Sequence, residues 1–308
     1  RQLPMKPIRT AVPTRHRLAL VLGSGGVRSA AAIGVAQVLE QAGLRPDLVV
    51  GCSSGALFGA AIAARMPPPE ALKLAVSLWS PELTQQRRWW SYAQLLMPRL
   101  ARFGPDFALR DSRLIGHRFT TAFGERLIEE LPTPLRVVAT DAQTGAGVVL
   151  TQGKLVDALR ASTALPFLFS AVQVEGRRLI DGVLADPLPV AAAIDADVVI
   201  TLGFEGRMPR HINRPSRMVG QVSTALLNNL MQARLQAATA SGQCLLPLEL
   251  QLGRHIGLWE TTAIPELHQA GVQAALRALP QLQAAMRRPP AQAARAGQTL
   301  PALRAALA

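Results

Sequence analysis

The chain has 308 residues, 49% of them hydrophobic, and a formal net charge of +13. That length allows one large or two ordinary domains with a sizeable core. No window offers ~18 uncharged apolar residues, which argues against a membrane-spanning helix. Of the 33 basic residues only Lys6, Lys73 and Lys154 are lysines. Such an Arg-rich surface suits an anionic membrane or nucleic acid, and a plain Arg and Ala composition bias accounts for it equally well. No RNP-type aromatic motif, zinc-finger spacing or basic-zipper pattern accompanies the charge, so a nucleic-acid partner is not expected. Cys52 and Cys244 are the only cysteines. A disulfide framework is therefore not expected, and a reducing, cytoplasmic setting is the simpler one. Four-cysteine or Cys/His metal spacing is absent, so neither a metal nor a cofactor is expected.

Residues 1–16 read as an extension. They are basic and Pro-containing but lack the apolar h-region of a signal peptide. Arg17 to Leu22 (RLALVL) is a continuous apolar run, the pattern of a buried strand. The turn Gly23-Ser24-Gly25-Gly26-Val27-Arg28-Ser29 follows, then a helix from Ala30 to Ala42 stopped by Gly43. Leu48 to Val50 is a second strand, and Gly51-Cys52-Ser53-Ser54-Gly55 follows it. An Ala-rich helix then runs to about Met66, and another from about Pro69 to Trp79. This β-α-β-α order predicts an α/β fold, with a mostly parallel central sheet and helices on both faces.

Residues 80–112 break the rhythm with Arg87-Arg88-Trp89-Trp90 and a mixed Leu, Arg and Phe run. They are either a basic aromatic lid or interfacial surface, or a pair of helices packed over the sheet; the second is the simpler expectation. Strands return at Leu135 to Thr140 and Val148 to Thr151, with a helix at Leu155 to Ser162. Val172 to Val174 and Arg178 to Ile180 form a hairpin around Glu175-Gly176. Ala196 to Leu202 is a further buried strand. Long helices are expected at Ser216 to Ala240 and Glu266 to Ala285. Residues 287–308 form a low-complexity tail, which leaves 17–286 as the folded domain.

Two segments carry chemistry. G-x-S-x-G between a strand and a helix is the setting of a nucleophile elbow. Gly51 and Gly55 remove side chains that would collide with the tight turn, and the helix aims its N–H groups and positive dipole end at the Ser53 oxygen. Alone the pattern is weak; an ordinary strand–turn–helix corner looks the same. The second segment is the turn at 23–29, which opens at the same sheet edge one β-α unit earlier. Its N–H groups, at Gly25 and Gly26 above all, can approach a ligand oxygen because no Cβ intervenes. It lacks the spacing and lysine of a phosphate loop and departs from G-x-G-x-x-G at Arg28.

The base is harder to find. His16, His117, His211, His255 and His268 are scattered, and none sits in a strand-end motif; each reads as a surface or loop residue. Asp181 stands after the strand Arg178-Leu179-Ile180 and before Gly182. A carboxylate there can reach Ser53, and a turn-forming Asp-Gly is the plain alternative.

Five segments together resemble a known family: LALVLGSGGVRS (18–29), IGVAQVLEQAGLRPDLVVGCSSGALFGAAIA (33–63), VVATDAQTGAGVVL (137–150), LVDALRASTALPFLFSAV (155–172) and LIDGVLADPLPV (179–190). In this order they are similar to the small single-domain bacterial patatin-like phospholipases. The resemblance implies a patatin-like fold and a Ser–Asp dyad with no histidine. It assigns Ser53 as nucleophile and Asp181 as base, with an oxyanion loop of Ser24, Gly25 and Gly26 backed by Arg28. Gly23, Gly51, Gly55 and Gly182 are the motif glycines. The implied activity is lipid acyl hydrolysis of phospholipase A, lysophospholipase or esterase type, through an acyl-enzyme. The alternatives are a hydrolase or acyltransferase acting on soluble esters or thioesters, and a catalytically silent protein of the same fold. Two positions depart from the pattern: Ser29 stands where the glycine-rich box usually ends in Gly, and Val183 follows Asp181-Gly182 where Gly or Ala is usual. Both bear on substrate range more than on activity. Beyond about residue 205 the resemblance thins.

Overall fold

The structure is a computed structural model that describes residues 16–78, 82, 89–97, 99, 100, 102, 104–209 and 211–287. Residues 1–15 of the expected extension at 1–16, residues 288–308 of the expected tail at 287–308 and the Arg87-Arg88 cluster lie outside the described residues, whereas Arg287 ends a helix.

The elements in chain order are β1 (Leu18–Leu22), a 3-10 turn Gly26–Ala30, α1 (Ala31–Gln41), β2 (Leu48–Cys52), α2 (Ser54–Ala63) and α3 (Pro68–Leu78). Next come α4 (Trp89–Leu96), α5 (Arg113–Phe123), β3 (Leu135–Asp141), β4 (Gly147–Leu150), α6 (Leu155–Ser162), β5 (Val172–Val174) and β6 (Arg177–Asp181). The chain continues with β7 (Val198–Leu202), α7 (Pro215–Ala240), β8 (Cys244–Pro247) and α8 (Ile264–Arg287). The expected α/β order is present, with α5 and β8 added.

The described strands form one sheet in the order β5-β6-β3-β2-β1-β7-β8, with β4 paired to β3. The block β3-β2-β1-β7-β8 is parallel. β4, β5 and β6 join antiparallel at one end. Every residue of β1, β2 and β7 is buried, because both sheet faces are covered; hence their unbroken apolar runs. Alternation sorts them. Leu18, Leu20, Leu22 and Val49 face the large core built with α1, α2 and α8, with Phe58 and Leu267 among its members. Ala19, Val21, Val50 and Cys52 face the smaller core closed by α7 through Met231 and Ala238. Each fully buried Leu or Phe contributes roughly 1.5–3 kcal/mol relative to exposure.

One detail of register positions the site. On β3, Val138 is the partner of Cys52 from β2, and the next residue, Ala139, is the partner of Asp181 from β6. Consecutive residues of one strand thus hold the end of the strand before Ser53 and the end of the strand carrying Asp181.

Of residues 80–112, α4 is the described helix. It buries Ser91, whose hydroxyl donates to the Ala108 carbonyl at 2.5 Å, and leaves Trp90 and Leu96 exposed. Among the described residues no helix is long and apolar enough to cross a membrane.

Candidate active site

Ser53 sits between the last residue of β2 and the first of α2 with φ 55° and ψ −125°. A non-glycine residue takes such a backbone only when its surroundings enforce it. Its N–H donates to Ser162 Oγ at 2.8 Å, and the Ser162 hydroxyl in turn donates to the Val138 carbonyl at 2.6 Å. The close pass of α2 over β1 enforces the rest: a Cβ on Gly55 would stand 2.3 Å from the Leu22 carbonyl oxygen.

Ser53 Oγ donates to Asp181 Oδ2 at 2.8 Å. The other carboxylate oxygen of Asp181, Oδ1, accepts the Val183 N–H at 2.9 Å, and the Asp181 carbonyl accepts the Thr140 hydroxyl at 2.8 Å. Asp181 is buried, and that burial pushes its carboxyl up to about 7, against the Val183 and Ser53 hydrogen bonds that favour the charged form. A base poised near neutrality suits proton transfer at neutral pH. Burial also pushes the neighbouring Cys52 thiol well above its ordinary value, with Asp181 and Asp186 adding to it, so the thiol stays neutral beside the serine.

The glycine-rich turn lies across the site. Gly23 N–H ties to the Leu202 carbonyl of β7 at 2.9 Å and Ser24 N–H to the Pro187 carbonyl at 3.0 Å. Arg28 Nε donates to the Gly25 carbonyl at 3.1 Å, and its guanidinium lies 5.2 Å from the Phe204 ring centroid. Arg28 thus braces the loop from behind. Burial lowers its guanidinium from the ordinary value.

The two glycine amides expected to face a ligand are not equivalent. Gly25 N–H is taken: it donates to Ser54 Oγ at 3.0 Å. Gly26 N–H has no intramolecular acceptor among the described residues. Gly26 has φ +61°, and a Cβ there would lie 2.6 Å from the Leu258 carbonyl oxygen. The departure at Ser29 also acquires a meaning. Its buried hydroxyl lies 2.8 Å from Ser54 Oγ and donates to the Gly23 carbonyl at 3.3 Å, so Ser29 and Ser54 stitch the loop to the first turn of α2.

Ser24, Gly25, Gly26, Arg28, Ser53 and Asp181 all line one cavity of about 280 Å³. Leu165, Phe169, Leu227 and Met231 make much of its wall apolar, and Val183 lines it too. Gly51 is buried in β2, one residue before its end at Cys52, and Gly182 opens the single 3-10 turn after Asp181. None of the five histidines lines the cavity. His16, expected at the surface or in a loop, lies in the loop two residues before β1 and is buried there beside Asp197. Nor does any described residue of 80–112 line it. Among the described residues no group of three or more His, Cys, Asp or Glu side chains is gathered to hold a metal ion. Ser54 and Ser162 were not singled out from the sequence. Ser54 occupies a free position of G-x-S-x-G, and Ser162 lies inside a matching segment with no spacing of its own.

The Patatin family model, described as patatin-like phospholipase, matches residues 20–194. The chain belongs to the patatin-like phospholipase family. An uncharacterized NTE family protein of Mycobacterium tuberculosis is 36% identical over 192 residues, covering 62% of this chain and 49% of that protein. Patatin-like phospholipase domain-containing protein 7 of Rattus norvegicus is 30% identical over 199 residues, 63% of this chain and 14% of that protein. The chain thus spans about half the length of the mycobacterial relative, and its match reaches only a small part of the rat one. Among solved structures, VipD from Legionella pneumophila aligns with a TM-score of 0.47 at 13% identity, covering 86% of this chain and 67% of that one.

Proposed function

We propose that this protein is a lipid acyl hydrolase in which Ser53 is the nucleophile and Asp181 its base, within a catalytic domain at 17–286. The carrying observation is the 2.8 Å hydrogen bond from Ser53 Oγ to a buried carboxylate whose affinity for protons lies near neutrality. Family membership and the partly apolar cavity support a lipid ester as substrate. Contact with an anionic membrane belongs to the same reading.

The reaction runs in two halves. Asp181 Oδ2 takes the Ser53 proton as Oγ bonds to the ester carbonyl carbon. The carbonyl π electrons move to oxygen, and that oxyanion is received by the Gly26 N–H and by the N–H groups opening α2. One such donor is worth ~3–4 kcal/mol in the transition state. The C–O bond to the alcohol then breaks, and the leaving oxygen takes the proton from Asp181. In the second half a water gives its proton to Asp181 and bonds to the acyl carbon. The Ser53–acyl bond breaks, Ser53 Oγ recovers the proton, and the fatty acid departs. The alignment of serine and carboxylate supplies the proximity, and the fixed N–H groups supply the electrostatics.

The test is hydrolysis of a short-chain fluorogenic ester and of phospholipid vesicles by the wild type, Ser53→Ala and Asp181→Asn. Loss of about 10³-fold or more in both variants, with circular dichroism unchanged, upholds the reading. Retention of activity in Ser53→Ala contradicts it. The ratio of the two substrates reports whether lipid is preferred.

A further inference from the structure

Residues 80–112 are expected from the sequence as helices packed over the sheet or, less simply, as an interfacial surface. A more extensive exposed apolar face lies on α7. Met218, Val219, Val222 and Leu226 are each 53–66% exposed. At 3.6 residues per turn they share one side of the helix, and roughly the opposite side carries Thr224, Leu227, Asn228 and Met231. Those four line the cavity that holds Ser53 and Asp181. One helix is thus the wall of the site on its inner face and an exposed apolar stripe on its outer face. The segment leading into it is pinned to the wall: Gly206 N–H donates to Asn228 Oδ1 at 2.8 Å, and Asn228 Nδ2 donates back to the Gly206 carbonyl at 2.9 Å.

Charge decides what covers the stripe. Between Glu205 and Glu249 the chain has no Asp or Glu and five arginines, at 207, 210, 214, 217 and 234. Arg207, Arg214 and Arg217 are exposed and in no ion pair among the described residues. Residues 1–15 carry Arg1, Lys6, Arg9 and Arg15 without an acidic residue, and 288–308 carry three arginines without one. A second copy pairing through this face, or either terminal stretch laid over it, brings cation against cation. An apolar stripe with exposed arginines in the segment leading into it and at the start of its helix is complementary to an anionic amphiphile.

We infer that the outer face of α7, with Arg207, Arg214 and Arg217, docks on an anionic lipid surface, holding the catalytic cavity one helix thickness from the bilayer that supplies its substrate. The inference rests on the lipid-hydrolase reading for its substrate, and its test separates the two.

Vesicle flotation is measured on a Ser53→Ala background, which keeps the lipid intact, using phosphatidylcholine vesicles with and without phosphatidylglycerol. Binding to the anionic vesicles alone is expected. Val222→Glu with Leu226→Glu lowers it at least tenfold. Arg214→Gln with Arg217→Gln lowers it by about fivefold per arginine and keeps the test decisive should the first pair disturb folding. With Ser53 restored, V222E/L226E cleaves a short-chain soluble ester within twofold of wild type. If that ester is cleaved while vesicle binding is insensitive to both pairs, the docking surface is overturned and the hydrolase reading survives. If no ester is cleaved but anionic binding falls with both pairs, the docking surface survives and the hydrolase reading fails. Equal binding to both vesicle types overturns it. So does a self-association, seen by sedimentation velocity, that V222E/L226E abolishes, because a second copy then covers the face.

Discussion

The Gly25 N–H donates to Ser54 Oγ at 3.0 Å, so the residue after Ser53 holds the loop that faces it. Ser29 completes the arrangement at 2.8 Å from the same hydroxyl. Ser54→Ala leaves the buried Gly25 N–H without an acceptor, which costs ~1–3 kcal/mol. We expect kcat on a soluble ester to fall about tenfold with KM within twofold, because the loop amides lose their aim rather than the cavity its shape. Ser29→Gly, which restores the usual residue of the family pattern, is expected to cost less than threefold. Unchanged kcat in Ser54→Ala contradicts a positioning role.

In the proposed mechanism Asp181 must be ionised to take the serine proton, and burial raises it from 3.8 to about 7. The kcat/KM for a soluble ester therefore rises about tenfold per pH unit below 7 and levels off above it. A profile already flat at pH 5 contradicts this.

The same shift has a cost in stability. The unfolded Asp181 loses its proton near 3.8 and the folded one near 7, so between those values the native state holds more protons than the unfolded chain. Stability contributed by this group is then full below about 3.8 and lost as pH rises towards 7. Asp186, also raised by burial to about 7 with Arg234 opposing, acts in the same direction. Asp181→Asn is expected to stabilise the protein by about 2 kcal/mol at pH 8 and by nothing measurable at pH 4. Thermal melts at the two pH values check the sign.

Gly26→Ala forces a side chain into φ +61° and against the Leu258 carbonyl. Strain of ~1–3 kcal/mol is expected from the backbone alone. Activity should fall at least a hundredfold, since Gly26 carries the unpaired loop amide. Vesicle flotation should be unaffected.

The elements that build the site were legible because each is local. A buried apolar run, a glycine-rich turn and an Ala-rich helix name β1, β2 and α2 without tertiary information. Asp181 was legible as the end of a strand before Gly182, but its contact with Ser53 needed the family resemblance, because no spacing rule joins residues 128 apart. β8 was hidden by its brevity and by Pro247, which a sheet tolerates at an edge beside β7. The inequality of Gly25 and Gly26 was invisible, since two adjacent glycine amides differ only by the Ser54 hydroxyl that folding brings to one. α7 was legible as a helix. Its outer apolar face was not, because nothing in its spacing says which of its two apolar sides meets the sheet.

The most direct test is reaction with a fluorophosphonate, followed by mass spectrometry of the adduct. The account predicts a single adduct on Ser53, formed at least a hundredfold more slowly in Asp181→Asn and absent in Ser53→Ala. An adduct on another serine, or labelling of Ser53 at the same rate without the Asp181 carboxylate, would contradict it.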